Sequence, residues 1–191
     1  MTDEPGYLNI HKEYIERCRK GDRQAQFEIY RLYFKSMYNT SLRIVRDPQE
    51  AEDIMQESFL SAFVKINTYS GKVSFGAWLK KIVINNSLDA LKKKRVLMQE
   101  LDEDLPEKVA AEEETDTDFT DIKIEDIMEA VNDLPDGYRI VLSLKLLEGY
   151  DHDEIAEILG ISSSSSRSQF TRAKQKLLLI LKNKKKNYGE S

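Results

Sequence analysis

The stretch DHDEIAEILGISSSSSRSQFTRAKQKL, Asp151 to Leu177, decides the fold of its half of the chain. It reads as a helix, a tight turn and a second, basic helix, the layout of a helix-turn-helix. Asp151 is placed to N-cap the first helix, with Glu154 three residues on closing a capping box. Ile155, Ala156 and Leu159 supply an apolar face, and Gly160 is the C-terminal stop. Ile161 plugs the turn and Ser162 caps the next helix. That helix carries Arg167, Gln169, Arg172, Lys174 and Lys176 interleaved with Phe170, Ala173 and Leu177 at helical spacing, so one face is apolar and the other cationic. Arg167, Ser168, Thr171 and Arg172 would project together into a major groove, where Arg and Ser or Thr read base edges or hold phosphates. A short helical pair with a surface charge stripe has the same local pattern, so the rest of the chain must decide between the two.

The chain has 191 residues, 40% hydrophobic and 33% charged, which fits a soluble, charge-rich helical protein of one or two domains. No apolar run is long enough to span a membrane, and the opening MTDEPGYLNI lacks a basic region followed by an apolar core. The expectation is a cytoplasmic protein with no secretion signal and no membrane insertion. A lone cysteine, Cys18, allows no internal disulfide, which suits a reducing compartment. His11 and His152 are far apart and come with no cysteine cluster, so neither a metal site nor a histidine-based nucleophilic triad is expected. No cofactor and no enzymatic activity are expected either.

The net charge of −5 misleads, because residues 99–126 hold 13 acidic and 2 basic residues, a local −11 that leaves +6 on the remainder. The basic residues gather at Lys92 to Arg95, along Arg167 to Lys176 and at Lys182 to Lys186. This is the electrostatic footprint of a DNA-binding chain with an acidic connector.

The periodicity predicts helices throughout. Tyr7 to Lys20 is a first helix stopped at Gly21, and Asp22 restarts a long one with Phe27, Tyr30, Phe34, Tyr38, Leu42 and Val45 as its apolar positions. Asp47, Pro48 and Glu50 supply an N-cap, a proline at N1 and a capping-box acid for a helix running to about Asn67. Tyr69 to Lys72 is a loop, and Phe75 to Arg95 a further helix. Residues 96–121, acidic and poor in large apolar groups, form a flexible linker between domains at 7–95 and 122–184. Ile122 to Leu134 is helix, Pro135-Asp136-Gly137 a turn, Tyr138 to Leu147 helix, and Gly149 a break before the helix-turn-helix. The tail after Leu181 is expected to fray. Such a tether could extend about 85 Å at roughly 3.3 Å per residue, enough for two domains to touch DNA sites more than one helical turn apart.

Four motifs in order then match a known family: DPQEAEDIMQESFLSAF at Asp47 to Phe63, FGAWLKKIVINNSLDALKKKR at Phe75 to Arg95, LPDGYRIVLSLKLLEGYDHDEIAEILGIS at Leu134 to Ser162, and RSQFTRAKQKL at Arg167 to Leu177. The chain resembles a bacterial RNA polymerase sigma factor of the extracytoplasmic-function type, from about Phe27 to Leu181. The resemblance implies an all-α fold of two helical domains, sigma region 2 and sigma region 4, joined by the acidic linker. It also implies core RNA polymerase and promoter DNA as partners, with an anti-sigma factor as a possible third.

The residue-level readings follow the same order. Asp53, Gln56, Glu57 and Leu60 form a polar-acidic stripe beside the apolar Ile54, Met55, Phe59 and Phe63. By itself the stripe could be a merely solvated face; the resemblance implies that it docks on the clamp helices of the polymerase's largest subunit. Trp78 could be core or strand contact, and Asn85 and Asn86 are poor helix formers that need hydrogen-bond partners. By resemblance, the loop Tyr69, Ser70, Gly71, Lys72 and the helix face with Trp78, Lys81, Asn85 and Lys92 receive the non-template strand of the minus-10 element, Asn85 standing at the family's base-contacting position. The last helix reads the minus-35 element through Ser165, Arg167, Ser168, Thr171, Arg172 and Lys174, with Arg167, Ser168 and Arg172 at the family's contact positions. Ser163 to Ser166 fill its first turn where the family commonly has a glycine and β-branched residues. The linker is either a solubilising tether or, with Glu112, Glu113 and Glu114, an acidic mimic of nucleic acid in the polymerase cleft. A Lys-rich tail with no further sensing module follows. Two other functions fit parts of the pattern: a stand-alone helix-turn-helix regulator, and a sigma mimic that sequesters an anti-sigma factor.

Overall fold

The computed structural model describes residues 11–99 and 123–189, with side chains described over 11–94 and 123–184. Among them are eight α-helices, one 3-10 turn and no strand. The helices are α1 (Lys12–Arg19), α2 (Arg23–Val45), α3 (Pro48–Val64), α4 (Phe75–Gln99), α5 (Ile124–Asn132), α6 (Asp136–Leu146), α7 (His152–Leu159) and α8 (Ser163–Gly189), and the 3-10 turn is Ile66–Thr68. The chain divides into two compact units at Arg95 and Val96. The expected acidic linker, with Glu112 to Glu114, falls largely outside the described residues, as does the expected helix start at Tyr7. Among the described residues, no helix is long and apolar enough to cross a membrane.

The first unit is built on local caps. Asp22 Oδ1 accepts from the Gln24 and Ala25 amides at 2.9 and 3.2 Å and so begins α2. Its Oδ2 pairs with Arg17 Nε at 2.8 Å, and that hydrogen bond is the main reason its carboxyl titrates below the usual range. α2 ends at Arg46, a non-glycine residue in left-handed conformation with φ 64°. Asp47 then caps α3 through the Glu50 amide at 3.0 Å. Glu50 closes no capping box; its carboxylate lies 3.4 Å from Lys94 Nζ on α4, a longer-range pairing that sequence spacing does not reveal. α3 stops at Val64, short of Asn67, because the chain tightens into the 3-10 turn that buries Ile66.

The buried face of α2 is Ala25, Ile29, Met37, Ser41 and Ile44, whereas Phe27 and Phe34 are exposed. Val45 of the expected stripe is buried, and Tyr30 and Tyr38 are half-buried against the core, so it is Phe27 and Phe34 that turn outward. The core joins Ile15, Cys18, Ile29, Met37, Met55, Phe59, Phe75, Leu79 and Val83. Burial pushes the Cys18 thiol up to about 11, which leaves it a packing residue rather than a nucleophile. At the start of α4 a glycine is required, since a Cβ on Gly76 would stand 2.9 Å from the Tyr33 ring.

The second unit contains a buried charge. Pro135, with extended ψ of 143°, hands the chain straight into α6, so Asp136 and Gly137 belong to the helix rather than to a turn. The cause is Asp136 itself: its carboxylate binds the guanidinium of Arg139 one turn on, and Arg139 is 1% exposed. Val131, Leu134, Leu142 and Ala173 form a core that Tyr138, Phe170, Leu177 and Ile180 extend. α8 does not fray after Leu181 but continues to Gly189. Lys184 Nζ lies 3.0 Å from Glu129 on α5 and 3.6 Å from Asp133, its C-cap, which ties the extension down.

Candidate nucleic-acid interface

Each unit presents its own face. On α3, Asp53, Gln56, Glu57 and Leu60 are all exposed, while Ile54, Met55 and Phe59 turn into the core. Val64, 83% exposed, continues the line one turn beyond Leu60, itself 68% exposed, so the stripe ends in an apolar pair that solvent alone would not favour. Sequence reasoning assigned Leu60 to this stripe and missed Val64, although the four-residue spacing from Leu60 marks it.

The loop before α4 is exposed from Ser70 to Ser74, with Gly71 at φ 78°. Tyr69 departs from the expected strand-contacting role. Its ring is buried, packed at 5.4 Å between centroids against both Phe75 and Trp78, and its hydroxyl donates to the Val73 carbonyl at 2.7 Å. An aromatic flanked by two others in a core is held by their burial, so Tyr69 supports the loop instead of facing a ligand. Trp78 is half-buried and combines both readings: one side rests on Tyr69 and Phe75, and part of the ring remains open to solvent. Ser74, not singled out in the sequence, caps α4 by accepting from the Ala77 amide at 3.2 Å.

Along α4 the two adjacent asparagines separate. Asn86 Nδ2 donates to Ser58 Oγ on α3 at 2.9 Å, so that amide is engaged in holding two helices together. Asn85 is exposed, on one line with Trp78, Lys81 and Lys92, the latter two also exposed. Asp89, exposed one turn beyond Asn85, adds a carboxylate to this line that the sequence reading did not weigh.

In the second unit the helix-turn-helix is closed by caps at every joint. Asp151 accepts from the Asp153 and Glu154 amides at 2.9 and 2.8 Å, and Glu154 answers from the Asp151 amide at 2.8 Å. The amide bonds hold the Asp151 carboxyl below its usual range. Gly160 takes φ 67°, and Ser162 Oγ accepts from the Ser165 amide at 3.0 Å to start α8. Ser166 is fully buried and lies 2.9 Å from His152 Nδ1, while the His152 ring meets Phe170 edge-on at 5.5 Å. This contact, which the sequence reading missed, sets the angle between α7 and α8.

With Ser166, Phe170 and Ala173 turned inward, Arg167, Ser168, Thr171, Arg172 and Lys174 stand exposed together. Two of the expected contact residues are already engaged. Ser165 is half-buried with its hydroxyl 2.8 Å from Ser162 Oγ, and Thr171 donates its hydroxyl proton to the Arg167 carbonyl at 3.1 Å, leaving acceptor capacity outward. Arg167 has only a long ion pair, 4.0 Å, with Asp153, and both are well exposed. Lys174 Nζ rests 5.1 Å above the Phe170 ring, which aims the ammonium along the helix. Among the described residues no cluster of three or more His, Cys, Asp or Glu side chains is placed to hold a metal ion.

Two family models match the chain in order: Sigma-70 region 2 over residues 29–96 and Sigma-70, region 4 over residues 124–177. The chain is 29% identical over 181 residues to the extracytoplasmic-function (ECF) RNA polymerase sigma factor SigW of Bacillus subtilis, covering 87% of this chain and 94% of that protein. The chain belongs to the sigma-70 family, as an extracytoplasmic-function sigma factor. The same bacterium's ECF sigma factor SigM is 29% identical over 151 residues, covering 78% of this chain and 91% of that protein. Among solved structures, the sigma factor RpoE of Bartonella quintana, in complex with the anti-sigma factor NepR, shares the fold of this sigma factor. Its TM-score is 0.58 at 22% identity over 81% of this chain and 95% of that one. CnrH, solved with the cytosolic domain of CnrY, shares the fold with a TM-score of 0.55 at 17% identity, over 90% of this chain and 96% of that one. This sigma factor is accordingly a non-enzymatic transcription initiation factor that directs RNA polymerase to promoters. The region 2 match covers α3, most of α2 and most of α4.

Proposed function

We propose that the two units divide promoter recognition between an unpaired strand and a duplex, and that the α3 stripe holds the polymerase. Asp53, Gln56, Glu57 and Leu60, extended by Val64, present charge and exposed apolar surface to the core enzyme. The Ser70 to Lys72 loop and the α4 line of Trp78, Lys81, Asn85 and Lys92 take the minus-10 strand. A half-buried ring offers a stacking surface, an exposed amide reads a base edge, and lysines hold phosphates. Arg167, Ser168 and Arg172, flanked by Ser165, Thr171 and Lys174, read the minus-35 duplex. The factor works in the cytoplasm with the polymerase, and an anti-sigma protein restrains it by covering one of these faces.

The observation that carries the assignment is the division of labour between the paired asparagines: Asn86 is bonded to Ser58, and Asn85 is presented to solvent. Transcription by core polymerase plus the full chain, on a promoter selected by that holoenzyme from a randomised library, tests it. Asn85→Ala is expected to lower initiation with unchanged thermal stability, whereas Asn86→Ala lowers stability. Full initiation by Asn85→Ala would remove the minus-10 assignment.

A further inference from the structure

We propose that Arg19 is a positioning residue for promoter opening, acting by holding the exposed loop before α4 in a ready-made shape. Arg19 lies at the end of α1, outside residues 29–96 that the region 2 family model matches. Its Nη2 donates to the main-chain carbonyl of Tyr69 at 2.6 Å, across 50 residues of sequence, and its Nη1 binds Glu16 at 2.7 Å. The guanidinium thus joins α1 to the base of the loop. Tyr69 continues the link from the other side, because its hydroxyl donates to the Val73 carbonyl at 2.7 Å. Ser74 closes the far end as the cap of α4. The five exposed residues Ser70 to Ser74 are therefore fixed at both ends, by Arg19 of α1 at one and by the cap of α4 at the other, with Gly71 providing the one left-handed bend.

A loop that must hold an extruded base loses less conformational freedom on binding when its ends are already fixed. Capture and duplex opening occur together, so an ordered loop lowers the cost of opening itself. The hydrogen bond from a charged donor at the loop base is of the stronger kind, so its removal is expected to be measurable. The inference rests on the minus-10 reading above and adds to it a residue that does not face DNA.

The test uses holoenzyme assembled from bacterial core polymerase and the full chain, with permanganate reactivity of minus-10 thymines reading the opening of the duplex and run-off transcript reading the engagement of a pre-opened template. Two templates are compared: the duplex promoter, and the same promoter with the minus-10 region already non-complementary. Arg19→Ala is expected to slow opening of the duplex about tenfold, with Arg19→Lys restoring part of the rate, while the pre-opened template is engaged within about twofold of wild type. Tyr69→Phe, which keeps the packed ring and removes only the bond to Val73, is expected to show the same template dependence and serves if Arg19→Ala folds poorly. Equal losses on both templates, or wild-type opening by both variants, would overturn the positioning role. A wild-type holoenzyme that opens no selected promoter would instead overturn the minus-10 reading, and this inference with it.

Discussion

The first unit packs several aromatic rings into its core, and the second buries a guanidinium as well as aliphatic side chains. Tyr30 meets Phe59, while Tyr33, Tyr69 and Trp78 meet Phe75, two ring clusters within one apolar core. The second unit pairs the buried Arg139 with Asp136 and ties Lys184 to Glu129 and Asp133. The difference accords with the face proposed for each unit. Capture of an unpaired strand wants an aromatic platform, which large buried rings support from below. Reading a duplex wants cations along one helix, and a helix crowded with cations gains from carboxylates placed on its neighbours.

The largest expected effects break the two cores by different means. Phe75→Ala removes a ring that is 1% exposed and should destabilise the first unit by about 4 kcal/mol, with little change in the second. Asp136→Ala leaves the Arg139 guanidinium without its neighbour on α6 and should cost the second unit about 3 kcal/mol. Thermal or urea unfolding followed by segment-resolved hydrogen exchange checks both. A single transition lowered equally by either substitution would contradict the independence of the two units.

Next in size is an effect on recognition without unfolding. Arg172→Ala should weaken discrimination at the minus-35 element by about 1 to 3 kcal/mol, read as holoenzyme preference between a selected promoter and a minus-35 variant of it. Loss of discrimination at the minus-10 element instead would invert the assignment of the two faces.

A smaller effect separates the units by pH. Burial is the main reason the His152 imidazole titrates below its ordinary value of 6.5. Lys145 and Arg167 add to the shift, and Asp151 and Asp153 oppose it. A group with a depressed basic pKa binds more protons unfolded than folded in the window between the two values, so stability rises with pH there. The second unit should therefore lose stability as pH falls from 6.5 through the imidazole's lower folded value, while His152→Gln flattens that dependence. Unchanged pH dependence in His152→Gln would remove the His152 imidazole as its source. Smallest of all, Asp153→Asn should raise duplex affinity slightly, because it frees Arg167 from a competing carboxylate 4.0 Å away.

What was legible in the sequence was what local chemistry determines. The Asp151 and Glu154 capping box, the Gly160 stop and the Ser162 cap depend on residues within a few positions of one another, and the structure has each in place. The exposed faces of α3 and α8 were legible for the same reason, since helical spacing alone separates Glu57 from Phe59 and Arg172 from Ala173. Partners brought together by folding were not. Nothing near Arg139 announces a buried guanidinium, because arginine is ordinarily a surface residue. Tyr69 reads as a loop aromatic until Phe75 and Trp78 close around it. Asn86 needed Ser58, 28 positions earlier, and Arg19 needed the carbonyl of Tyr69, 50 positions later. The continuation of α8 past Leu181 likewise depends on carboxylates from α5 and its C-cap.

The most direct measurement of the central claim is the affinity of the full chain for bacterial core RNA polymerase, comparing wild type with Glu57→Arg and Arg172→Ala. A sigma factor that uses the α3 stripe for the polymerase and α8 for DNA binds tightly as wild type and as Arg172→Ala, and loses binding as Glu57→Arg. Wild-type affinity in Glu57→Arg, or loss of binding in Arg172→Ala alone, would contradict it.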